Sequence, residues 1–389
     1  DVAGGTNEVI PNSAAVTVNG ALNFASGGGT ETIGSLAGSG TVSSVIAGTY
    51  SLVVGGSANT TFSGAINNGS GVIGLTKSGA GTLLLTGSNG FTGGAALNGG
   101  TLGVGSANAL GSSGTISFGG GTLQYSASNT TDYSGRFSNA ASQQYSIDTN
   151  GQNVTLGSNL TSSGGSFTKL GSGSVTLSGS NSTSGGTTVS AGGLRLNGSI
   201  AGGLNVAAIA TLSGTGTVGG SATIAGTHSP GNSPGAQTFT GNLTYEAGAL
   251  VNWELIANTT GTAGVNYDQI IMPSGNLTFS GSTTLALAFN SPDSSVNWSD
   301  SFWNVNRSWM VYDLSSGSVN NPSNLIVGGS LLDSQGVALS PTERGYFTTS
   351  LIGQDVMLDF VAVPEPATWA MALTGLAAGG LMIRRRRRS

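Results

Sequence analysis

Short stretches in which apolar and polar residues alternate recur along most of the chain. Residues 82–85 and 101–104 are typical, and Gly, Asn and Ser separate such stretches every 8–12 residues. Alternation with this punctuation predicts half-buried β-strands joined by tight turns. No long helical pattern lies between them, so a parallel sheet of β-α-β units is not expected. The pattern predicts an all-β protein.

Short strands of even spacing can coil, with each turn hydrogen-bonding to the next about 4.8 Å away. We therefore predict a β-solenoid with roughly ten turns in residues 1–227. A flat β-sandwich is the alternative arrangement, and the uniform spacing favours the solenoid.

One segment recurs at an offset of 92 residues without a gap. Residues 76–89 (TKSGAGTLLLTGSN) align with residues 168–181 (TKLGSGSVTLSGSN). This offset exceeds one solenoid turn, so it should span several. We expect the apolar positions of both copies to point into one continuous core. These positions are Leu83, Leu85, Leu97 and Leu102 in the first copy and Val175, Leu177, Val189 and Leu194 in the second.

Composition supports a β protein with many turns. Glycine supplies 68 of the 389 residues, and only 11 Lys and Arg and 16 Asp and Glu are present. Glycine costs about 1 kcal/mol at each helical position, which excludes an ordinary helical domain. It follows no strict third-residue register, which excludes collagen. The hydrophobic fraction of 37% argues against charge-driven disorder.

Charge and cysteine content exclude further classes. Residues 228–363 hold ten acids and two bases, and the net charge of the chain is −5. An acidic body is a poor binder of nucleic acid. The chain has no Cys, so it has no disulfide, thiolate metal site or Cys nucleophile. It begins at Asp1, from which we expect either a removed leader or a fragment.

The repeated segment resembles a known family. Residues 75–89 (LTKSGAGTLLLTGSN), followed by Gly93 and Gly94, are similar to the autotransporter-associated β-strand repeat. Residues 33–40 resemble its upstream companion, and residues 212–216 and 229–235 resemble the segment that closes such arrays. The resemblance implies a right-handed β-helix.

The composition changes near residue 228, beyond which most of the prolines and all five tryptophans lie. Strand-like stretches continue, so we predict a β-rich cap region over residues 228–363 after a solenoid over residues 1–227. Four tryptophans are expected to pack as core or as an end cap, and a platform for stacking carbohydrate is the alternative. They are Trp253, Trp298, Trp303 and Trp309.

Short matches to catalytic motifs fail on chemical grounds. Residues 231–235 (GNSPG) match a nucleophile elbow near the single histidine, His228, but Pro234 has no N–H to offer an oxyanion. Ser166 and Lys169 match S-x-x-K, but on a strand they point to opposite faces. We therefore predict no catalytic, cofactor-binding or metal site.

Carboxylate pairs are the remaining route to catalysis, because glycosidases need two about 5–10 Å apart. Asp132 with Asp148, and Asp293 with Asp300, are the loose candidates in loops. We expect them to cap turns or face solvent, and we expect no pair at glycosidase distance. Asp355 and Asp359 would lie about 13 Å apart on one strand face.

The end of the chain carries three features in order. Residues 363–366 read Val-Pro-Glu-Pro, residues 367–383 contain no charge, and five arginines follow. Seventeen uncharged residues reach the lower limit for a membrane-spanning helix, so we predict such a helix over residues 367–383. Flanking arginines would keep the end of the chain in the cytoplasm. A permanent anchor and a nucleic-acid-binding tail are the alternatives to a sorting signal.

This order of features resembles the PEP-CTERM sorting signal over residues 364–389. The resemblance implies recognition and cleavage by an exosortase, a membrane-embedded enzyme of Gram-negative bacteria. It implies a sorting motif of Val363, Pro364, Glu365 and Pro366. It also implies a membrane stop of Arg384, Arg385, Arg386, Arg387 and Arg388.

Together these features predict a secreted, non-enzymatic β-solenoid with a structural or adhesive role at the cell surface or in the extracellular matrix. Its precursor is expected to be held transiently in the inner membrane, and an extracellular polysaccharide or glycan is a possible partner. A polysaccharide-binding or polysaccharide-degrading β-helix enzyme is the alternative. Convergence of acidic residues on one face would favour that enzyme.

Overall fold

The computed structural model describes residues 9–363, which form an all-β structure with a β-solenoid of about 11 turns. The predicted fold class is confirmed. The right hand of the helix stays a prediction, and the helix predicted over residues 367–383 lies outside the described residues. Among residues 9–363, no helix has the length and hydropathy needed to cross a membrane.

The described residues form two compact units. The first contains residues 9–228 and 239–244, and the second contains residues 229–238 and 245–363. Spatial packing alone does not define folding domains, so the three-segment division of the chain stays a prediction.

The first unit is built from short parallel strands that pair with strands one turn away. Its longest described sheet contains Thr60–Phe62, Thr82–Leu85, Thr101–Val104, Thr122–Gln124, Gln144–Asp148, Ser166–Leu170, Thr187–Val189, Leu204–Val206 and Ala222–Ile224. A second contains Gly29–Ile33, Thr49–Val54, Val72–Lys77, Ala95–Leu97 and Ile116–Phe118. A third contains Asn153–Leu156, Ser174–Leu177, Gly192–Leu196 and Ala210–Gly214.

Three smaller groups complete this unit. They are Ala15–Thr17 with Ser35–Ala37; Ala21–Phe24 with Thr41–Ser44 and Ala65–Gly69; and Ser180–Asn181 with Ser199–Ile200 and Thr217–Val218. One 3-10 turn spans Ser134–Arg136. The chain passes between the two units within three further strands, which are Thr227–Pro230, Ala236–Phe239 and Leu243–Tyr245.

Alternation places the apolar side chains of each strand in the core. In Thr82–Leu85 the two leucines at the second and fourth positions are buried and the other two residues are partly exposed. Leu83 pairs with Leu102, which pairs with Leu123 on the next turn, so like residues stack along the core. All eight core positions predicted from the two copies are at most 1% exposed, which confirms the predicted register.

The two copies of the repeated segment occupy different faces of the solenoid. Thr82–Leu85 belongs to the longest sheet, whereas its counterpart Ser174–Leu177 belongs to the third. Likewise Val72–Lys77 lies in the second sheet and its counterpart Ser166–Leu170 in the longest. The offset of 92 residues therefore equals four turns plus one face.

The second unit mixes parallel and antiparallel strands. One described sheet has the order Ala236–Phe239, Gln269–Met272, Arg307–Leu314, Asp355–Ala362 and Gly345–Ile352, and its last two pairings are antiparallel. Parallel groups are Leu250–Glu254 with Thr283–Ala288 and Leu325–Gly329, and Leu277–Phe279 with Val319–Asn320. Two 3-10 turns span Ser301–Asn304 and Pro322–Asn324.

Aromatic side chains fill the core of the second unit. Trp253, Trp298, Trp303 and Trp309 are at most 3% exposed. The ring centroids of Trp298 and Trp303 lie 4.6 Å apart, and those of Trp253 and Trp309 lie 6.0 Å apart, in edge-to-face arrangements. The prediction that these tryptophans pack as core is confirmed, and they offer no exposed carbohydrate platform.

Candidate functional site

The lysines of the two repeat copies are buried in the solenoid. Lys77 is the last residue of its strand and Lys169 the last but one of its own, and both are at most 1% exposed. Nζ of Lys169 donates to the carbonyl oxygens of Leu170 and Gly171 at 2.8 Å and to that of Ala191 at 3.1 Å. Nζ of Lys77 donates to the carbonyl oxygen of Gly79. Each lysine therefore satisfies carbonyl groups of the glycine-rich corner that follows it.

Burial lowers the pKa of both lysines. It lowers the pKa of Lys169 to about 8, although the nearby Asp148 acts in the opposite direction. It also lowers the pKa of Lys77. Both side chains serve the fold, because their donors are directed at main-chain oxygens of the corner.

The asparagines of the two copies link adjacent turns. Oδ1 of Asn89 accepts from the N–H of Ile66 at 2.8 Å, and its Nδ2 donates to Ala109 at 2.7 Å. Oδ1 of Asn181 accepts from Leu160 at 3.0 Å, and its Nδ2 donates to Ser199 at 3.1 Å. Each asparagine thus joins the turn before it to the turn after it.

One outer face of the first unit carries a column of hydroxyl and amide side chains. Successive strands of the longest sheet place these residues directly opposite one another, so the column runs across eight strands. Oγ1 of Thr122 and Oγ of Ser146 lie 2.9 Å apart. We call this column the hydroxyl ladder: Thr82, Thr101, Thr122, Ser146, Thr168, Thr188, Asn205 and Thr223.

The candidate carboxylates hold backbone in place. Asp132 accepts from the N–H groups of Ser134 and Gly157, both at 2.8 Å. Asp148 accepts from the N–H of Asn150 at 2.9 Å and from Nε2 of Gln124 at 2.8 Å.

The acidic candidates of the second unit show the same use. Asp300 caps a 3-10 turn through the N–H of Phe302 at 2.7 Å, whereas Asp293 is exposed. Asp355 accepts from the N–H of Leu314 at 2.8 Å, and Asp359 from Oγ of Ser308 at 2.5 Å. Turn capping explains Asp132, Asp148 and Asp300, and the separation of the pairs stays a prediction.

A buried carboxyl that the sequence did not single out lies in the second unit. Asp268 is 4% exposed, and its oxygens accept from the N–H of Gly235 at 2.7 Å and of Glu254 at 3.1 Å. Desolvation by burial raises the pKa of Asp268 to about 8, against the effect of the Gly235 bond. Asp268 immediately precedes the strand Gln269–Met272, and nothing in the sequence shows that the loop at Gly235 covers it.

The residues that matched catalytic motifs have structural surroundings. Oγ of Ser233 donates to Oε2 of Glu254 at 2.8 Å. His228 is fully buried, with its ring 5.5 Å from that of Phe239. Ser166 faces outward and Lys169 inward, as predicted. Within residues 9–363, no group of three or more His, Cys, Asp or Glu side chains is arranged to hold a metal ion.

Comparison with protein families accounts for two parts of the chain. The passenger-associated-transport-repeat model matches residues 75–104 and 167–196, the two copies that carry the buried Lys and Asn. The PEP-CTERM protein-sorting model matches residues 362–388. The chain carries two passenger-associated-transport repeats and a PEP-CTERM sorting motif. Both predicted resemblances are confirmed. No curated protein matches the chain.

The PEP-CTERM motif implies processing by an exosortase-type enzyme, and with the repeats it implies an exported protein that is processed in the envelope. Of the predicted sorting residues, only Val363 lies in the described part. Its N–H donates to the carbonyl of Arg344 at 2.9 Å. Pro364, Glu365, Pro366 and the arginines lie outside the described residues, and their individual roles stay predictions.

Proposed function

We propose that this protein is a non-enzymatic structural or adhesive component of the cell surface or extracellular matrix, released to that location by exosortase-type processing. The sorting motif and the repeats support export. The use of Asp132, Asp148 and Asp300 to hold main-chain N–H groups supports a role without catalysis.

The hydroxyl ladder is the observation that carries the adhesive part of this proposal. Strands of the sheet are spaced about 4.8 Å apart, so the hydroxyl ladder presents a hydroxyl or amide group at each step. An extended polysaccharide also presents hydroxyl groups at regular intervals, so several weak hydrogen bonds can form along one chain. Each contributes about 0.5–1.5 kcal/mol, and affinity arises from their number.

The test is binding of the purified protein to polysaccharide isolated from the host matrix. The ladder variant changes Thr101, Thr122 and Thr168 to Val, which keeps the branched shape and removes three hydroxyls. We expect affinity to fall at least about tenfold, the effect of losing roughly 1.5–4.5 kcal/mol. The control changes Thr155 and Thr176 to Val, a register pair on another sheet, and should bind normally.

Two outcomes would contradict the proposal. Equal binding of the polysaccharide by the ladder and control variants would show that the hydroxyl ladder does not contribute to adhesion. Depolymerisation of the polysaccharide that is abolished by Asp132→Asn or Asp148→Asn would show an enzyme instead.

A further inference from the structure

The strand Gly345–Ile352, which we call the edge strand, is the outermost strand of its sheet. It pairs antiparallel with Asp355–Ala362. The N–H of Val363 donates to the carbonyl oxygen of Arg344, so residues 344 and 363 form a hydrogen-bonded pair. Hydrogen-bonded and non-bonded pairs alternate along two antiparallel strands, so the main-chain groups of residues 346, 348, 350 and 352 also form hydrogen bonds with the neighbouring strand. The N–H and C=O groups of Phe347, Thr349 and Leu351 therefore point away from that strand, and no described residue forms a main-chain hydrogen bond with them.

The edge strand lacks the features that usually prevent strand addition. Its eight residues include no charge and no proline, and its pairing with Asp355–Ala362 has no bulge. Exposed apolar side chains lie along it: Tyr346 is 50%, Leu351 45% and Ile352 60% exposed. In natural proteins charges, proline or bulges usually prevent another strand from pairing with such an edge. A long neutral edge strand is therefore typical of a pairing surface.

An open cavity of about 490 Å³ adjoins the same strand. Thr349, Ser350 and Leu351 form part of its lining, together with Phe279 and Leu325. A strand added to the edge would lie along the rim of this cavity. Unpaired main-chain groups and an adjoining cavity that can take side chains are together the features of a site that accepts an extended strand.

We propose that a second copy of this chain pairs with the edge strand, antiparallel and about a twofold axis at Thr349. In this register Tyr346 faces Ile352 of the second copy, Phe347 faces Leu351, and Thr348 faces Ser350. The exposed Tyr346 and Ile352 then meet each other, Leu351 lies opposite the buried Phe347, and hydroxyls meet hydroxyls. The outward groups of residues 347, 349 and 351 meet those of 351, 349 and 347, so the hydrogen-bond phase agrees.

Other registers do not match in this way. Pairing centred on Thr348 sets Tyr346 against Ser350 and leaves Ile352 opposite Arg344. The edge strand also carries no charge, so two copies meet without electrostatic repulsion, although the whole chain is acidic with a net charge of −5. The pairing is isologous, since one surface binds its own copy.

Cross-linking of the full-length chain in detergent micelles tests this register. The chain has no Cys, so single cysteines can be introduced without background. Across a bonded pair the Cα atoms lie about 5.5 Å apart, so Thr349→Cys should give a dimer with a short bifunctional thiol reagent. Ile352→Cys is the matched control, because residue 352 of the second copy lies six residues, about 20 Å, along the strand.

A charge introduced into the edge gives an independent readout. Leu351→Lys should lower the dimer fraction at least tenfold in sedimentation equilibrium, whereas Val337→Lys, at a 52% exposed loop position of the same unit, should not. Both variants should keep the native circular dichroism spectrum. A monomer at all concentrations, equal cross-linking of both cysteine variants, or capture of a different protein by Thr349→Cys overturns the proposal.

Discussion

At the residue scale, the lysine and asparagine that the two repeats share form hydrogen bonds to the backbone. Lys77 and Lys169 occupy core positions that alternation alone would assign to apolar residues, and each donates to corner carbonyls. Lysine side chains are usually exposed in folded proteins, so the sequence did not predict the burial of these two. It did predict the burial of the neighbouring leucines, because their period of two leaves one buried face.

Replacing Lys169 with Met tests the value of the corner bonds. Methionine fills the same volume but leaves the carbonyls of Leu170, Gly171 and Ala191 without their donor. We expect the free energy of unfolding to fall by about 1–3 kcal/mol. Arg195→Met, an exposed position on a neighbouring strand, should change it by less than about 0.5 kcal/mol. Equal stabilities of the two variants in urea denaturation would contradict this account.

The carboxyl of Asp268 predicts a pH dependence of stability. Its pKa is about 8 in the folded protein and near 3.8 when unfolded, so the folded state binds the proton more tightly. Folding is therefore favoured at low pH, and this contribution is lost as pH rises from about 4 through about 8. Asp268→Asn should flatten the dependence of the unfolding midpoint on pH over that range. An unchanged slope would show that the N–H bonds to Gly235 and Glu254 keep the carboxylate ionised.

At the element scale, the structural turn and the sequence repeat have different periods. Equivalent strands of the two copies fall in different sheets, so the same local sequence forms a corner at two different positions around the solenoid. The glycines at those corners allow backbones of adjacent turns to approach closely. A Cβ on Gly79 would clash with the carbonyl oxygens of Gly55 and Gly56.

Gly79→Ala should therefore destabilise the solenoid. The methyl group has no free volume between two adjacent turns, and overpacking of this kind costs about 1–3 kcal/mol. Gly135→Ala is the control, because its nearest neighbour would be Oγ of Ser158 at 3.5 Å. Thermal unfolding followed by circular dichroism should show a lower midpoint for Gly79→Ala only, and a lower midpoint for both would point to a general effect of adding a methyl group.

At the scale of the whole molecule, the sequence allowed the fold class, the core positions and both matched segments to be predicted. These rest on local periodicity and short motifs. It did not predict the antiparallel hairpin Gly345–Ile352 with Asp355–Ala362 or the neutral edge that it leaves. Whether a strand lies at the edge of a sheet depends on its pairing with strands distant in the sequence. The local alternation of residues 346–352 carries no information about that pairing.

Hydrogen bonds hold the chain in the folded body up to the start of the Pro-Glu-Pro motif. The N–H groups of Ala362 and Val363 donate to Oδ1 of Asn306 at 3.0 Å and to the carbonyl of Arg344 at 2.9 Å. The sheet therefore holds the chain up to the residue before Pro364. An enzyme that cuts at or after the Pro-Glu-Pro motif can remove the tail without disturbing any of these bonds.

We accordingly expect mass spectrometry of the mature protein from its host to show a chain that ends before residues 384–388. Glu365→Ala should leave uncleaved precursor in the membrane fraction, because the motif that the enzyme recognises is altered. Glu343→Ala is the control, since it removes an exposed carboxylate beside the edge strand and leaves the motif intact. Mature protein that still carries the five arginines would show that the tail is a permanent anchor, because a processed chain cannot retain residues beyond its cleavage site.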